Sequence, residues 1–314
     1  MTARSHPSIA KAIDVADVRF ALPDLAKAEA FLIDFGFAVE RSDDRLIARG
    51  AHGNIAYLAE ASDDDEARFA GFSFAATSAN EIEALADELD AETRENGQGL
   101  SVSLIDPDGF SVRALNPEHT PGPKAPPVGR NESGTRTRTR SRLAVPKGPS
   151  QVLRLGHVVL QVTDFESSLA WYQDRFGLLM SDRVLGPDGK TTVGAFLRCD
   201  RGEEVTDHHS LFLMQSPGGV AKIEHAAFEV ADFDSLMAGA DHLKAQGYEQ
   251  EWGIGRHLLG AHIFDYWRDP FGFTLEHWTD GDLIDSSDPE GTHDLMALLG
   301  SQWGPPHAML GGGK

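Results

Sequence analysis

Apolar and polar positions alternate along this chain in short runs, and each run gives way to a helical stripe. Residues 156–178, GHVVLQVTDFESSLAWYQDRFGL, open as a strand and then place Phe165, Leu169, Tyr172 and Phe176 on one helical face. Thr163 and Glu166 have capping-box spacing, Asp164 is an alternative N-cap, and Gly177 suits the position just past a helix end. Residues 17–36, DVRFALPDLAKAEAFLIDFG, repeat the plan, with Asp24 in the place of Asp164 and Leu25, Ala28, Phe31 and Phe35 as the stripe. A second kind of unit, IEHAAFEVADFDSLMAGADHLKAQG at residues 223–247, is an alternating strand followed by a helix ending at Gly247, and GFSFAATSANEIEALADEL at residues 71–89 is its counterpart. Each second unit runs on into a hairpin, GRHLLGAHIFDYWRDPFGFTLEH at 255–277 and the weaker SVSLIDPDGFSVRAL at 101–115.

An internal repeat decides the architecture before anything else. The pattern predicts an α+β fold of four strand–helix–strands modules, two in each half. Residues 120–150, TPGPKAPPVGRNESGTRTRTRSRLAVPKGPS, lack apolar periodicity and read as a linker. The expected divisions are an N-terminal extension (1–16), a first domain (17–119), the linker (120–150), a second domain (151–285) and an irregular tail (286–314). The chain's 314 residues suit two such units.

Charge narrows the partners. With 28 basic and 49 acidic residues the net charge is −21, which repels nucleic acid and anionic membranes, so neither is expected as a partner. Arg136, Arg138, Arg140 and Arg142 in the linker are expected to lie on the protein's own or a neighbouring subunit's carboxylates. One cysteine, Cys199, excludes an internal disulfide framework and a cysteine zinc cluster. No secretory h-region and no apolar run of membrane-spanning length is present, and a cytoplasmic location is expected.

The stronger hairpin sets a register. In Asp269-Pro270-Phe271-Gly272, proline suits the first turn position and glycine the following positive φ, as in a three-residue hairpin loop with a bulge. Asp269 then closes opposite Phe273 and Tyr266 opposite Glu276, so His262, Phe264, Tyr266, Thr274 and Glu276 share a face. Ile263, Trp267, Phe273 and Leu275 form the other, core face. The copy at Asp106-Pro107-Asp108-Gly109 fixes the same register and puts Arg113 opposite Ser103.

Three groups on separate strands, His157, His225 and Glu276, suit a facial triad of two imidazoles and one carboxylate that leaves positions open on a divalent cation. Their approximate counterparts in the first half are Asp17, Phe72 and Arg113, a set that cannot hold one. Gly255-Arg256-His257, Tyr266, Asp269-Pro270-Phe271-Gly272 and Glu276 together resemble the signature of the type I extradiol ring-cleavage dioxygenases of the vicinal oxygen chelate (glyoxalase/bleomycin resistance) superfamily. The resemblance covers about residues 15–285 and is strongest over 153–280. Asp265 departs from it, since an aliphatic residue usually precedes the tyrosine.

The resemblance implies βαβββ modules paired into two domains, each a curved mixed sheet forming an open barrel or cup with helices outside, the second domain being catalytic. It implies His157, His225 and Glu276 as ligands of Fe(II), with Mn(II) also suited to them, and His209 as the acid–base residue. His257 and Tyr266 contact the substrate oxygens. His208 is adjacent to His209, and the second histidine of HHSL is the one that matches. His262 either lines the pocket or packs beside Phe264. The implied reaction is cleavage of a catechol-type diol by dioxygen next to the hydroxyls, with His209 titrating near its ordinary value of about 6.5. Trp252, Phe264, Trp278 and Phe212 are candidates to flank the ring, although aromatic residues beside strands are more often core. Enzymes of this type are commonly homo-oligomers. Rival readings are another enzyme of the superfamily (glyoxalase, epimerase or thiol transferase) and a non-catalytic binder of aromatic ligands.

Overall fold

In the computed structural model, which describes residues 9–96, 98–117, 131–136, 138 and 144–310, one order of elements occurs twice in each half. The first half runs β1 (Ala12–Leu22), α1 (Leu25–Phe35), β2 (Ala38–Arg41), β3 (Arg45–Arg49), β4 (Ile55–Ala61), β5 (Arg68–Ala76), α2 (Ala79–Leu89), β6 (Thr93–Asn96), β7 (Gly99–Ile105) and β8 (Ser111–Pro117). A small hairpin of β9 (Asn131–Glu132) and β10 (Thr135–Arg136) follows. The second half runs β11 (Val152–Val162), α3 (Phe165–Phe176), β12 (Leu179–Leu185), β13 (Thr192–Arg198), β14 (Thr206–Asp207), β15 (Leu211–Gln215), β16 (Lys222–Val230), α4 (Phe233–Gln246), β17 (Glu249–His257), β18 (Ile263–Arg268) and β19 (Thr274–Thr279). Beyond it come β20 (Leu283–Ile284), β21 (Gly291–Asp294), α5 (Leu295–Leu299) and β22 (Ser301–Trp303).

These are the four expected βαβββ modules. In the eight-stranded first sheet β1 and β5 pair antiparallel at the centre, and each also pairs parallel with the last strand of its own module, β4 or β8. The ten-stranded second sheet repeats this with β11 and β16, which pair parallel with β15 and β19. Helix starts follow from local chemistry. Asp24, Asp164 and Asp232 each accept a hydrogen bond from a backbone N–H three residues on, and Ser78 forms a full capping box with Glu81. For α3 the aspartate, not Thr163, is the cap. A carboxylate is the stronger acceptor at the positive end of a helix, and the Thr163 hydroxyl bonds Asp108 instead.

Helices α1 and α3 carry the core across the two sheets. Phe35 of α1 packs its ring 5.9 Å from Phe228 of β16, while Phe176 of α3 lies 4.7 Å from Phe74 of β5. The Tyr172 hydroxyl donates to Asp106 Oδ2 at 2.7 Å, so α3 is pinned to the turn of the first hairpin. Each of these fully buried aromatic rings contributes about 2–3 kcal/mol of apolar burial.

The tail differs from the irregular segment expected of it. β21 pairs parallel with β12 at one edge of the ten-stranded sheet, and β22 pairs antiparallel with β17 at the other. Between them Leu295 and Leu298 pack on Val159, Val184, Phe196 and Phe212, so the tail straps the sheet from edge to edge. Period-2 alternation is hard to see in strands as short as these. Of the linker arginines, Arg140 and Arg142 lie outside the described residues, as do most of the linker, residues 1–8 and the final GGGK. No described helix is long and apolar enough to cross a membrane.

Candidate metal centre and its surroundings

Three adjacent strands build the centre. In the order β11-β16-β19, His157 stands opposite Ala227 and Ala227 opposite Glu276, while His225 lies two residues before Ala227 on the same face of β16. His157 Nε2 and His225 Nε2 each lie 3.3 Å from Glu276 Oε2. The three ligand atoms fall within 4.8 Å of one another. Both Glu276 oxygens, His225 Nε2 and His157 Nδ1 are buried without a hydrogen-bond partner among the described residues. Leaving such groups unpaired costs about 1–3 kcal/mol each, and a divalent cation satisfies the converging set. Burial alone would raise the Glu276 carboxyl, yet the two imidazoles beside it hold it well below the usual carboxylate range. Burial lowers His157, leaving it neutral, the form that ligates. His157, His209 and His262 also converge within 4.8 Å, but that set has no negative charge to offset a cation and shares His157 with the first.

Gly156 makes room for His157. A Cβ there would lie 2.5 Å from the Trp278 indole, which in turn stacks on His262 with ring centroids 4.3 Å apart. His262 therefore lines the centre, its ring 5.4 Å from that of His157 and 5.0 Å from that of His209. The His208–His209 pair is buried, and the His209 ring lies 4.2 Å from that of His157 and 4.8 Å from that of Phe196. The expectation that His209 titrates near its ordinary value is corrected: burial first, then the neighbouring histidines, pushes it well below.

On the other flank the hairpin register is the expected one. Tyr266 pairs with Glu276, Ser103 with Arg113, and the Asp269 N–H donates to the Phe273 carbonyl. His257 at the end of β17 reaches Tyr266 Oη with Nε2 at 2.9 Å, and that nitrogen is 4.0 Å from Glu276 Oε1. Burial pushes His257 down to about 4. Burial and the Glu276 charge hold the Tyr266 phenol well above its usual range, so it stays protonated as a donor. Trp252 lies tilted against Phe264 at 4.2 Å and stacks on Tyr266 at 5.4 Å. Of the four aromatic candidates, Phe264 and Trp278 pack against the histidines and Phe212 belongs to the apolar wall under the strap, in line with the core reading.

Residues 154–277 match the model of the Glyoxalase/Bleomycin resistance protein/Dioxygenase superfamily. "Metapyrocatechase 2" of Cupriavidus necator is 32% identical over 306 residues, covering 90% of this chain and 86% of that protein. The chain belongs to the extradiol dioxygenase family. An "Iron-dependent extradiol dioxygenase" of Rhodococcus jostii is 31% identical over 42% of this chain and 44% of its own. Among solved structures, the Mn(II)-bound glyoxalase from Novosphingobium aromaticivorans superposes with a TM-score of 0.73 at 21% identity, covering 95% of this chain and 92% of that one.

As an extradiol family member the chain has a second half with the candidate centre and a first half without one. Register makes Asp17 the counterpart of His157 and Arg113 that of Glu276, as expected, but the counterpart of His225 is Gly71 and not Phe72. Spacing to the helix cap gives the same alignment, since His225 precedes Asp232 by 7 residues and Gly71 precedes Ser78 by 7. Asp265, the departure from the family pattern, faces away from the centre. It accepts from Gln250 Nε2 at 2.6 Å and Trp267 Nε1 at 2.7 Å, and burial lifts it to about 7. Sequence reading overlooked Asp182, which meets His208 across a gap of 26 residues, and His293, which meets Asp182 across 111; neither has a motif of its own.

Proposed function

We propose that this protein cleaves a catechol-type aromatic diol next to its hydroxyl pair, inserting both atoms of dioxygen, in aromatic compound degradation. The observation that carries this reading is the convergence of His157, His225 and Glu276 with unpartnered buried ligand atoms. These three would hold Fe(II), and their donor set suits Mn(II) as well. A related protein is named iron-dependent and a structural neighbour is Mn(II)-bound. When bound, the metal supplies positive charge that makes a catechol hydroxyl acidic near neutral pH and a redox-competent centre for the reaction with dioxygen.

The chain's own side chains do the rest. His209, neutral because it is buried, takes a proton from the diol and returns one as the ring opens. Tyr266 donates to a substrate oxygen, and its bond with His257 fixes both rings. Val159, Val184, Phe196 and Phe212, covered by the strap, exclude water from one side of the cup. We assign catalysis to the second half, residues 151–285, and a supporting role to residues 17–119. A homo-oligomer is proposed from the family resemblance, with size-exclusion light scattering as its check. A cytoplasmic location fits a lone, buried, free thiol at Cys199.

The test is anaerobic loading with Fe(II), addition of catechol and then air, with dioxygen uptake and a yellow ring-opened product as readouts. Stoichiometric uptake is expected. A loaded protein that turns over no diol, or a His225→Ala variant that keeps full iron and activity, would refute the reading.

A further inference from the structure

We propose that His208 and Asp182, braced by His293 on the C-terminal strap, are positioning residues that fix which ring nitrogen of His209 is free to act as a base. This rests on the acid–base reading of His209. The four side chains form one hydrogen-bonded row. His209 Nδ1 lies 3.1 Å from His208 Nδ1, His208 Nε2 lies 2.9 Å from Asp182 Oδ2, and Asp182 Oδ1 lies 3.0 Å from His293 Nε2.

We take His208 as a neutral imidazole, and donor and acceptor bookkeeping along the row then leaves one arrangement. An ionised carboxylate only accepts, so His208 Nε2 and His293 Nε2 carry protons and donate to Asp182. A neutral His208 then has its lone pair on Nδ1. The Nδ1···Nδ1 contact needs one proton, which His209 must supply from its own Nδ1. That leaves the lone pair of His209 on Nε2, the state a general base requires. Asp182 meets the condition of ionisation, since against its burial the hydrogen bonds from His208 and His293 hold its carboxyl below the usual range.

The arrangement is built in. His208, His209 and Asp182 are buried. The Ser181 hydroxyl donates to the His208 carbonyl at 2.6 Å, and the His208 N–H donates to the Asp282 carbonyl. A Cβ at Gly291 would fall 2.0 Å from Asp182 Oδ1, so the strap approaches closely enough for His293 to reach the carboxylate only because that residue is glycine. The strap thereby joins the site, although none of its residues enters the metal centre.

Two measurements test this. In protein labelled with 15N-histidine, ring nitrogen shifts near neutral pH are expected to report His208 as the Nε2–H tautomer and His209 as the Nδ1–H tautomer. The opposite tautomer at His208 overturns the inference without reference to activity. In the iron-loaded enzyme with catechol, His208→Phe is expected to lower kcat about 10- to 100-fold while iron content and KM stay within about twofold. In a His209→Asn background the same change should cost nothing further, because it acts only through His209. Asp182→Leu, which removes the acceptor, should resemble His208→Phe, and Asp182→Asn, which keeps one acceptor oxygen, should retain more kcat; these serve if the phenylalanine variant does not fold. Undiminished kcat in His208→Phe, or an equal loss in both backgrounds, overturns the positioning role. Full turnover by His209→Asn alone would instead overturn the acid–base reading beneath it.

Discussion

Gly156→Ala is the smallest change that should damage the centre while leaving every candidate ligand in place. The added Cβ would sit 2.5–2.6 Å from three indole atoms of Trp278. Trp278 has little freedom to yield, being 2% exposed, stacked on His262 at 4.3 Å and overlaid by the Arg154 guanidinium at 5.6 Å. Forcing a methyl into such packing costs about 1–3 kcal/mol, or roughly 5 °C of Tm in a chain this long. The strain would be relieved at the register shift in β11 between Leu155 and His157, which moves His157 itself. A misplacement on the order of 1 Å lowers turnover about 10²-fold. Thermal unfolding, iron per chain after gel filtration and kcat/KM are therefore expected to fall together. Trp278→Leu in the same chain should recover part of the loss, with a coupling of about 0.5–3 kcal/mol between the two sites. A Gly156→Ala protein with the parental Tm and full iron would refute the claim that the Trp278 ring sets the position of His157.

Other outcomes follow from the same structure. Tyr266→Phe removes one hydroxyl and its 2.9 Å bond to His257, and should keep iron while lowering kcat/KM about 10²-fold, as followed by initial rates of dioxygen uptake. Arg113→Met leaves the fully buried Asp17 with the more distant Arg19 at 3.6 Å in place of Arg113 at 3.1 Å. It should cost about 3 kcal/mol in urea unfolding with iron content unchanged. His277 is pushed down to about 3 by burial, whereas an unfolded histidine titrates near 6.5. Its contribution to stability is therefore complete above about pH 6.5 and lost as pH falls towards 3, by up to about 1.4 kcal/mol per pH unit. Urea midpoints of the parent and of His277→Gln at pH 7.5 and 5 (values on the order set by that window) should show the smaller pH dependence in the variant.

The modules and the hairpin register were legible because they depend on local rules. Helix caps at Asp24 and Asp164 and the Asp-Pro-Xaa-Gly turns act within four residues, and the repeat shows each rule at work twice. His157, His225 and Glu276 were legible through the family signature and through contrast with the vacant copy. What depended on long-range packing was not. At Phe72 strand pairing gives Gly71 instead, because a glycine offers no side chain to mark its place in the alternation. The strap was missed because its strands are four and three residues long and owe their form to the sheet edges they join. Asp182 and His293 were missed because a lone acid and a lone histidine have no signature until folding joins His293 to Asp182 and Asp182 to His208. The low titration range of His209 was missed because burial of a loop residue after the acidic run Glu203, Glu204 and Asp207 has no local signal.

The vacant half explains why one hairpin was built twice and equipped once. Where the second half gathers two imidazoles and a carboxylate, the first has Asp17, Gly71 and Arg113. Arg113 Nη2 lies 3.1 and 3.2 Å from the two Asp17 oxygens, and Ser73 bridges, donating to Asp17 and accepting from Arg113 and Arg19. A guanidinium here supplies the positive charge that the buried carboxylate needs, the same electrostatic problem a bound cation would solve at Glu276. Gly71 is part of that solution, since a Cβ there would come 2.8 Å from Arg19 Nη2 and 1.9 Å from the Ser111 carbonyl oxygen. Placing a histidine at 71 would therefore break the ion network before it could offer a ligand. The first half is closed by its own charges, and it holds the second through Tyr172 on Asp106 and the His277 Nε2–H on the Phe35 carbonyl. The residue next to Glu276 is thus anchored to the half that carries Asp17, Gly71 and Arg113 in place of the candidate ligands, which gives that half a part in positioning the centre.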